Sequence, residues 1–140
     1  MQHRESTIKG AGNAQVHYQV WLPDHAPRGL IVLVHGAAEH SGRYQRFAEH
    51  FVQSGYGTAA LDHIGHGRSD GQRGYVRNFS EYVETLDRFV AMLVEEFPGV
   101  PRVLLGHSMG GLISTCYLIQ NQEAFAACVL SGPAIKTDLE

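Results

Sequence analysis

The sequence lacks several features that would place it outside the class of folded, water-exposed domains. Its longest purely aliphatic run, from Leu30 to Val34, is far shorter than the roughly 20 apolar residues of a membrane-spanning helix. No apolar stretch typical of a secretory signal occurs before Gln15. The chain has only two cysteines, Cys116 and Cys128, and both lie within apolar patterns without a close cysteine or histidine at metal-ligand spacing. We therefore expect two buried, free thiols and a cytoplasmic location.

An excess of charge of one sign is also absent. The 140 residues include 11 Lys and Arg against 14 Asp and Glu, which gives a formal net charge of −3, and the basic residues are scattered. This balance argues against nucleic acid as a partner, because phosphate backbones select basic surfaces. A hydrophobic share of 44% is ample for a buried core and excludes a disordered chain.

What the sequence does contain is a regular alternation of apolar segments. Residues 15–22 alternate between apolar and polar side chains and predict an outer or edge strand, whereas the continuous run at 30–34 predicts a central parallel strand. Further strands are predicted at 56–61, 103–105 and 126–130, and helices at 44–52, 78–97 and 109–120. The order predicts an α/β fold in one domain, with a mostly parallel sheet and helices on both faces.

The most informative segment is Gly106-His107-Ser108-Met109-Gly110-Gly111, between a predicted strand and a predicted helix. It matches the G-x-S-x-G nucleophile elbow, in which a tight turn leaves the serine hydroxyl exposed. Gly106 and Gly110 would give the turn its room, and Ser108 is the candidate nucleophile. The N–H of Met109, at the start of the helix, is a candidate donor to a developing oxyanion. An ordinary glycine-bearing turn is the alternative.

A second oxyanion donor is expected from the loop that follows the central strand. His35-Gly36-Ala37-Ala38 comes directly after Val34, and the N–H of Ala37 is the candidate. We expect the ring of His35 to brace the loop backbone. The alternative is a tight turn that only packs small residues.

Three segments together resemble a known family. They are residues 35–44 (HGAAEHSGRY), residues 62–71 (DHIGHGRSDG) and residues 106–111 (GHSMGG). In this order they are similar to the monoacylglycerol lipase and lysophospholipase branch of the α/β-hydrolase fold. The resemblance implies that Ser108 is acylated by a lipid ester while the amides of Ala37 and Met109 bind the oxyanion, without any cofactor. Ala38 stands where the family more often has glycine, which is tolerable if the backbone there is not left-handed.

The acid and the base of a serine triad are missing from the expected place. In this fold the triad follows the chain order Ser, then Asp or Glu, then His, yet no histidine follows Ser108. The acids downstream of it are Glu123, Asp138 and Glu140, and none directly follows a further core strand. We expect residues 1–140 to be the N-terminal part of a single α/β-hydrolase domain whose lid and C-terminal strands lie elsewhere. His107 is a poor substitute for the base, since neighbouring side chains on such a turn diverge, and His35 is one because its ring is expected to brace the oxyanion loop.

Polar residues in the loop 62–77 admit two interpretations. His63 and His66 lie close to Asp62 and Asp70, a composition that could suggest a metal site. No closed ligand set such as His-x-x-x-His on a helix is present, so we favour a hydrogen-bonded loop that shapes the floor of the site and expect no metal.

The sequence leaves three functions to compare. The first is a serine hydrolase acting on monoacylglycerol or lysophospholipid esters through an acyl-serine intermediate. The second is a non-catalytic module that keeps the elbow and binds a lipid or a partner. The third is a peptidase or a C–C hydrolase of the same fold. Peripheral membrane contact stays open, and a final strand that ends the sheet is expected to self-associate through its free edge.

Overall fold

The computed structural model describes residues 1–136, so Asp138 and Glu140 lie outside the described residues. The strands are β1 Gln2–Lys9, β2 Gln15–Leu22, β3 Leu30–Val34, β4 Gly57–Leu61, β5 Arg102–His107 and β6 Ala127–Ser131. The helices are α1 Gln45–Gln53, α2 Ser80–Glu96 and α3 Met109–Gln120, with short 3₁₀ turns at Ala11–Asn13, Ser41–Tyr44 and Gln122–Ala124.

The strands form a mixed sheet in the order β1-β2-β4-β3-β5-β6. The pairs β3–β4, β3–β5 and β5–β6 are parallel, while β1–β2 and β2–β4 are antiparallel. Side chains of β3 alternate between two cores: Val32 packs with residues of α2 and α3, and Leu33 packs with residues of α1. Helices therefore cover both faces, which confirms the α/β prediction.

The prediction that β2 is an edge strand was wrong. A preceding strand that the sequence pattern did not reveal, β1, pairs antiparallel with the whole of β2. Its sequence QHRESTIK is polar and exposed except at Ile8, so no apolar period marks it. The polar residues of β2 that suggested a solvent-facing side are in fact buried, and they are satisfied by hydrogen bonds: His17 with Asp62, and Gln19 with Ser41.

The helices agree closely with the sequence pattern. Helix α3 has the bounds predicted for it, and α2 begins behind a capping box. In that box the N–H of Ser80 donates to Asn78 Oδ1 at 3.0 Å, and the N–H of Asn78 donates to Glu81 Oε2 at 3.2 Å. Within residues 1–136 no helix has the length and apolar content needed to cross a bilayer.

Strand β6 ends the described sheet and is exposed along its length. It pairs with β5 on one side, and among residues 1–136 no strand pairs with its other side. The burial expected for the two thiols was therefore wrong: Cys128 on β6 is exposed and Cys116 on α3 is only half-buried. An apolar strand pattern predicted a covered strand, but nothing in the described chain covers this one.

Candidate functional site

Ser108 lies in the turn between β5 and α3, at the carboxyl ends of the parallel strands. Its backbone has φ 55° and ψ −119°, a conformation that side-chain-bearing residues rarely adopt. The turn is fixed on both sides: the N–H of Ser108 donates to the carbonyl of Ser131 at 2.9 Å, and its carbonyl accepts from the N–H groups of Gly111 and Ala134. Ser108 is half-buried, and its hydroxyl has no hydrogen-bond partner among the described residues.

Gly106 and Gly110 leave no space for a side chain. A Cβ on Gly110 would lie 2.0 Å from the carbonyl oxygen of Val34 and 2.5 Å from that of His35. A Cβ on Gly106 would lie 2.5 Å from Ser114 Oγ and 2.6 Å from the carbonyl oxygen of Gly110. These contacts are mostly with backbone and cannot relax cheaply. The glycines let the first turn of α3 press against the ends of β3 and β5.

The loop after β3 meets the elbow through Gly36. A Cβ on Gly36 would lie 3.1 Å from Ser108 Cβ and 3.2 Å from the carbonyl oxygen of His107, so the two segments are in contact. Within the described chain, the N–H groups of Ala37 and Met109 form no hydrogen bond, and both residues line one cavity of about 450 Å³. The structure thus places Ala37 and Met109 on one cleft, and it places Ser108 beside the loop that carries Ala37.

Ala38 has a left-handed backbone, with φ 58°. The sequence predicts that alanine is tolerated here only if the backbone is not left-handed, and this condition is not met. An L-residue in this conformation costs roughly 1–2 kcal/mol because its Cβ crowds the following carbonyl oxygen. Alanine at this position is accommodated as local strain in the loop beside Ser108.

His35 is fully buried and uses both ring nitrogens within the loop. Its Nδ1–H donates to the carbonyl of Gly36 at 2.7 Å, and its Nε2 accepts the backbone N–H of His63 at 3.1 Å. Burial lowers the pKa of His35 to about 4, so the ring is neutral near pH 7. The ring therefore holds the loop backbone and has no free nitrogen for a proton from Ser108.

His63 returns a hydrogen bond to the same loop. Its Nε2–H donates to the carbonyl of His35 at 2.8 Å, which leaves Nδ1 as a buried acceptor without a partner in the described part of the chain. Burial, followed by the neighbouring His35, holds the pKa of His63 well below its ordinary value. The two rings form a neutral, reciprocal pair beneath the cleft.

Asp62 organises the start of the loop 62–77. Its Oδ1 accepts the N–H of Ser41 at 2.7 Å, and its Oδ2 accepts the N–H of Arg68 at 3.0 Å and contacts His17 Nδ1 at 3.2 Å. Burial alone would raise the pKa of Asp62, but the bonds from Arg68 and Ser41 outweigh it and lower the pKa. Asp62 and His17 are thus engaged in hydrogen bonds. Residues 1–136 contain no cluster of three side chains that could hold a metal ion.

His107, the residue before Ser108, is directed to β6. Its Nδ1 lies 3.1 Å from the carbonyl oxygen of Ser131 and 3.2 Å from Ser131 Oγ. This contact joins the elbow to the next strand, as expected for side chains that diverge on such a turn.

Glu39 and Tyr44 belong to the site, and the motif analysis assigned them no role. Glu39 Oε1 accepts the N–H of Gly36 at 2.7 Å and a short hydrogen bond from the hydroxyl of Tyr44, while Oε2 pairs with Arg43 at 3.2 Å. Burial opposes ionisation of Glu39, but the bonds from Tyr44 and Gly36 outweigh it and lower its pKa. Spacing of four residues between Glu39 and Arg43 is the one signal in the sequence that could have suggested a pair.

Comparison with known proteins agrees with this architecture. The family described as serine aminopeptidase, S33 matches residues 25–140. The chain is 46% identical over 131 residues to a monoacylglycerol lipase of Mycolicibacterium smegmatis, covering 94% of this chain and 47% of that protein. It is 38% identical over 120 residues to the human monoglyceride lipase, covering 86% of this chain and 40% of that protein.

A solved structure supports the same relationship. A soluble variant of monoglyceride lipase from Saccharomyces cerevisiae, in complex with a substrate analogue, superposes with a TM-score of 0.84 at 26% identity, covering 97% of this chain and 46% of that one. The chain belongs to the S33 family of α/β hydrolases, within its monoacylglycerol lipase and lysophospholipase-like branch. It spans about half the length of these relatives.

Relieving the strain at Ala38 tests its left-handed geometry. We expect Ala38→Gly to raise the free energy of unfolding by about 0.5–1 kcal/mol, because the relieved strain exceeds the added entropy of the unfolded chain. Urea unfolding followed by circular dichroism measures this change. Ala14→Gly is the matched control, since Ala14 has extended backbone (φ −63°, ψ 137°) and should lose stability on the same substitution. Equal losses for both variants would contradict the geometry.

The neutral His35 predicts a pH dependence of stability. Its pKa is about 4 in the folded chain and about 6.5 when unfolded, so the unfolded chain binds more protons between these values. Stability from this residue is complete above pH 6.5 and is lost as the pH falls towards 4. We expect the free energy of unfolding to drop by about 2 kcal/mol between pH 7 and pH 5.

Urea unfolding at half-unit steps of pH measures that slope. The wild-type chain is compared with His35→Asn, whose amide keeps a donor but cannot ionise, and the slope should be smaller in the variant. Equal stability of the wild type at pH 7 and pH 5 would rule out a buried neutral histidine.

Proposed function

We propose that this chain supplies the nucleophile and the oxyanion-binding half of a serine hydrolase that cleaves carboxylic esters of glycerol, either monoacylglycerol or lysophospholipid. The observation that carries the proposal is the backbone of Ser108: at φ 55° it presents an unbonded hydroxyl beside the Gly36 loop. A strained serine between strand and helix, with a hydroxyl free of hydrogen bonds, is the arrangement that acyl transfer requires. The names of the lipase relatives support the choice of ester.

In this proposal Ser108 Oγ attacks the ester carbonyl, the ester C–O bond breaks, and the glycerol moiety leaves as an alcohol with the proton that the base took from Ser108. Water then hydrolyses the acyl-serine, which releases the fatty acid and returns the proton to Ser108. The charge that develops on the carbonyl oxygen is bound by the N–H groups of Ala37 and Met109. The first turn of α3 adds the positive end of its dipole. Each donor of such a pair is typically worth about 100- to 1000-fold in rate.

The proton of Ser108 needs a base that the described residues do not provide. No histidine follows Ser108, and the rings of His35 and His107 are engaged with backbone and Ser131. We propose that the acid and the base come from polypeptide outside these 140 residues, consistent with a chain that covers 47% of its bacterial relative. A cytoplasmic location and peripheral contact with a membrane that holds the lipid substrate are parts of the same proposal.

The description of the matching family raises a peptidase as the second candidate. An aminopeptidase must bind a free amino group, which calls for an uncommitted carboxylate near the nucleophile. Glu39 lines the cleft, but both of its oxygens are engaged, by Gly36 and Tyr44 on one side and by Arg43 on the other. This engagement favours the esterase.

Covalent labelling of Ser108 tests the nucleophile. In a complete polypeptide that carries this chain, a fluorophosphonate probe should label Ser108, and Ser108→Ala should abolish both labelling and monoacylglycerol hydrolysis. Ser54→Ala, which changes an exposed serine at the end of α1, is the matched control and should be labelled like the wild type. The isolated 140 residues should label at least about 1000-fold more slowly, because the base is lacking.

Three outcomes would contradict the proposal. Labelling that persists in Ser108→Ala would place the nucleophile elsewhere. Absence of labelling in the complete polypeptide would favour a non-catalytic module that only binds lipid. Faster cleavage of an aminoacyl amide than of a monoacylglycerol would favour the peptidase.

We also propose that β6 mediates self-association of the 140-residue chain. Val129 and Leu130 are 50% and 39% exposed on a strand whose outer edge lacks a partner in residues 1–136. Sedimentation velocity should show oligomers that grow with concentration, and Val129→Lys should reduce them. Val94→Lys, at a comparably exposed valine on α2, is the control and should have no effect. A monodisperse monomer at high concentration would refute this proposal.

A further inference from the structure

We infer that Glu39 is a positioning residue whose carboxylate clamps the turn from Gly36 to Glu39 and thereby fixes the direction of the Ala37 N–H. The inference rests on the proposed function, in which that N–H is an oxyanion donor. Glu39 is not a catalytic residue in this account, because it acts through the backbone of Gly36 and does not touch the reacting atoms.

The first step is the closure of the turn by a side chain. Glu39 Oε1 accepts the N–H of Gly36, three residues earlier, at 2.7 Å. The turn between them contains the left-handed Ala38. An alanine in this conformation favours opening of the turn, since extended or right-handed backbone is more stable for it. A charge-assisted hydrogen bond is stronger than one between neutral groups, and here it opposes that opening.

The second step is the orientation of the peptide group between Gly36 and Ala37. Its carbonyl oxygen accepts His35 Nδ1–H at 2.7 Å. In a planar trans peptide the carbonyl and the N–H point in opposite directions, so the Ala37 N–H is directed away from the His35 ring. Glu39 binds the N–H of Gly36, which belongs to the peptide group before that residue. His35 binds the carbonyl of Gly36, which belongs to the peptide group after it. With both anchored, the Ala37 N–H has little rotational freedom left.

The third step concerns what keeps Glu39 itself in place. The hydroxyl of Tyr44 donates to the same oxygen that binds Gly36, and Arg43 pairs with the other oxygen. The carboxylate thus joins the loop to the 3₁₀ turn Ser41–Tyr44 ahead of α1. Burial, followed by the bond to Glu39, raises the pKa of Tyr44, so its hydroxyl keeps the proton that it donates. A negative charge near a developing oxyanion is unfavourable, and Arg43 offsets it.

A simpler role as a surface ion pair does not account for these contacts. Exposed Glu–Arg pairs at four-residue spacing contribute little to stability, because water screens both charges. Glu84 and Arg88 on α2 form such a pair at 2.7 Å, with the two side chains 50% and 45% exposed. The side chain of Glu39 is only 9% exposed and binds the backbone N–H of Gly36, which Glu84 does not. Glu84 is therefore the matched control for Glu39.

The test compares Glu39→Ala, Glu39→Gln and Glu84→Ala in the complete polypeptide, with the fluorophosphonate labelling rate of Ser108 as readout. Glu39→Ala should slow labelling at least about tenfold, since small displacements of a donor cost up to about 100-fold. Glu39→Gln keeps an acceptor for Gly36 and should stay within about threefold of the wild type. Glu84→Ala should have no effect. Wild-type rates in Glu39→Ala, or no rescue by Glu39→Gln in a folded protein, would overturn the inference.

A second readout does not need activity. In ¹⁵N-labelled chain the amide protons of Gly36 and Ala37 should both shift in Glu39→Ala, with Gly36 moving upfield because it loses a carboxylate acceptor, and neither should shift in Glu84→Ala. Unchanged amide positions in Glu39→Ala would overturn the clamp even if labelling slowed. If the wild type is not labelled at all, the proposed function fails, and these two amides still decide whether Glu39 holds the loop. If Glu39→Ala does not fold, Glu39→Met, which keeps the length of the side chain but removes its oxygen acceptors, supplies the same comparison.

Discussion

The site depends on one steric constraint, the close approach of the first turn of α3 to the carboxyl end of β3. A Cβ on Gly110 would lie 2.0 Å from the carbonyl oxygen of Val34, a distance that no atom tolerates. Because the helix packs directly on this backbone, its first N–H groups lie next to the loop after β3. Ser108 must then turn sharply to enter the helix, with φ 55°. The unbonded hydroxyl of Ser108 and the amides close to it follow from this packing.

Buried polar groups fix the loops that this packing brings together. His35 and His63 are neutral because burial disfavours their charged forms, and each holds the backbone of the other's loop. Asp62 and Glu39 are charged, and each accepts backbone N–H groups across a turn. In this buried setting the histidine rings, whose partners are only backbone carbonyl and amide groups, are neutral. The carboxylates are charged because several N–H or O–H donors bind each of them. In both cases a side chain supplies the hydrogen bonds that water would otherwise make to the irregular backbone.

Strong apolar periods made much of the fold predictable from sequence. The bounds of α3, the central strand β3 and the capping box of α2 all came from such patterns. Strand β1 could not be found in this way, because its side chains are polar and exposed and its stability comes from pairing with β2. The motifs predicted Ser108, Ala37 and Met109 as site residues, whereas the contact of Glu39 with the N–H of Gly36 appears only once the turn is folded.

Backbone strain in the described chain is concentrated beside the candidate nucleophile. Three residues other than glycine have positive φ: Asn13, Ala38 and Ser108. Asparagine adopts this conformation readily, because its side chain can hydrogen-bond locally, so Asn13 needs no special account. Ala38 has no such side chain, and Ser108 combines positive φ with ψ −119°. Each costs on the order of 1–3 kcal/mol, a large share of the 5–15 kcal/mol that stabilises a typical domain. Since Gly36 contacts Ser108 and lies two residues from Ala38, the two strained positions lie on neighbouring segments, where strain of this kind typically accompanies function.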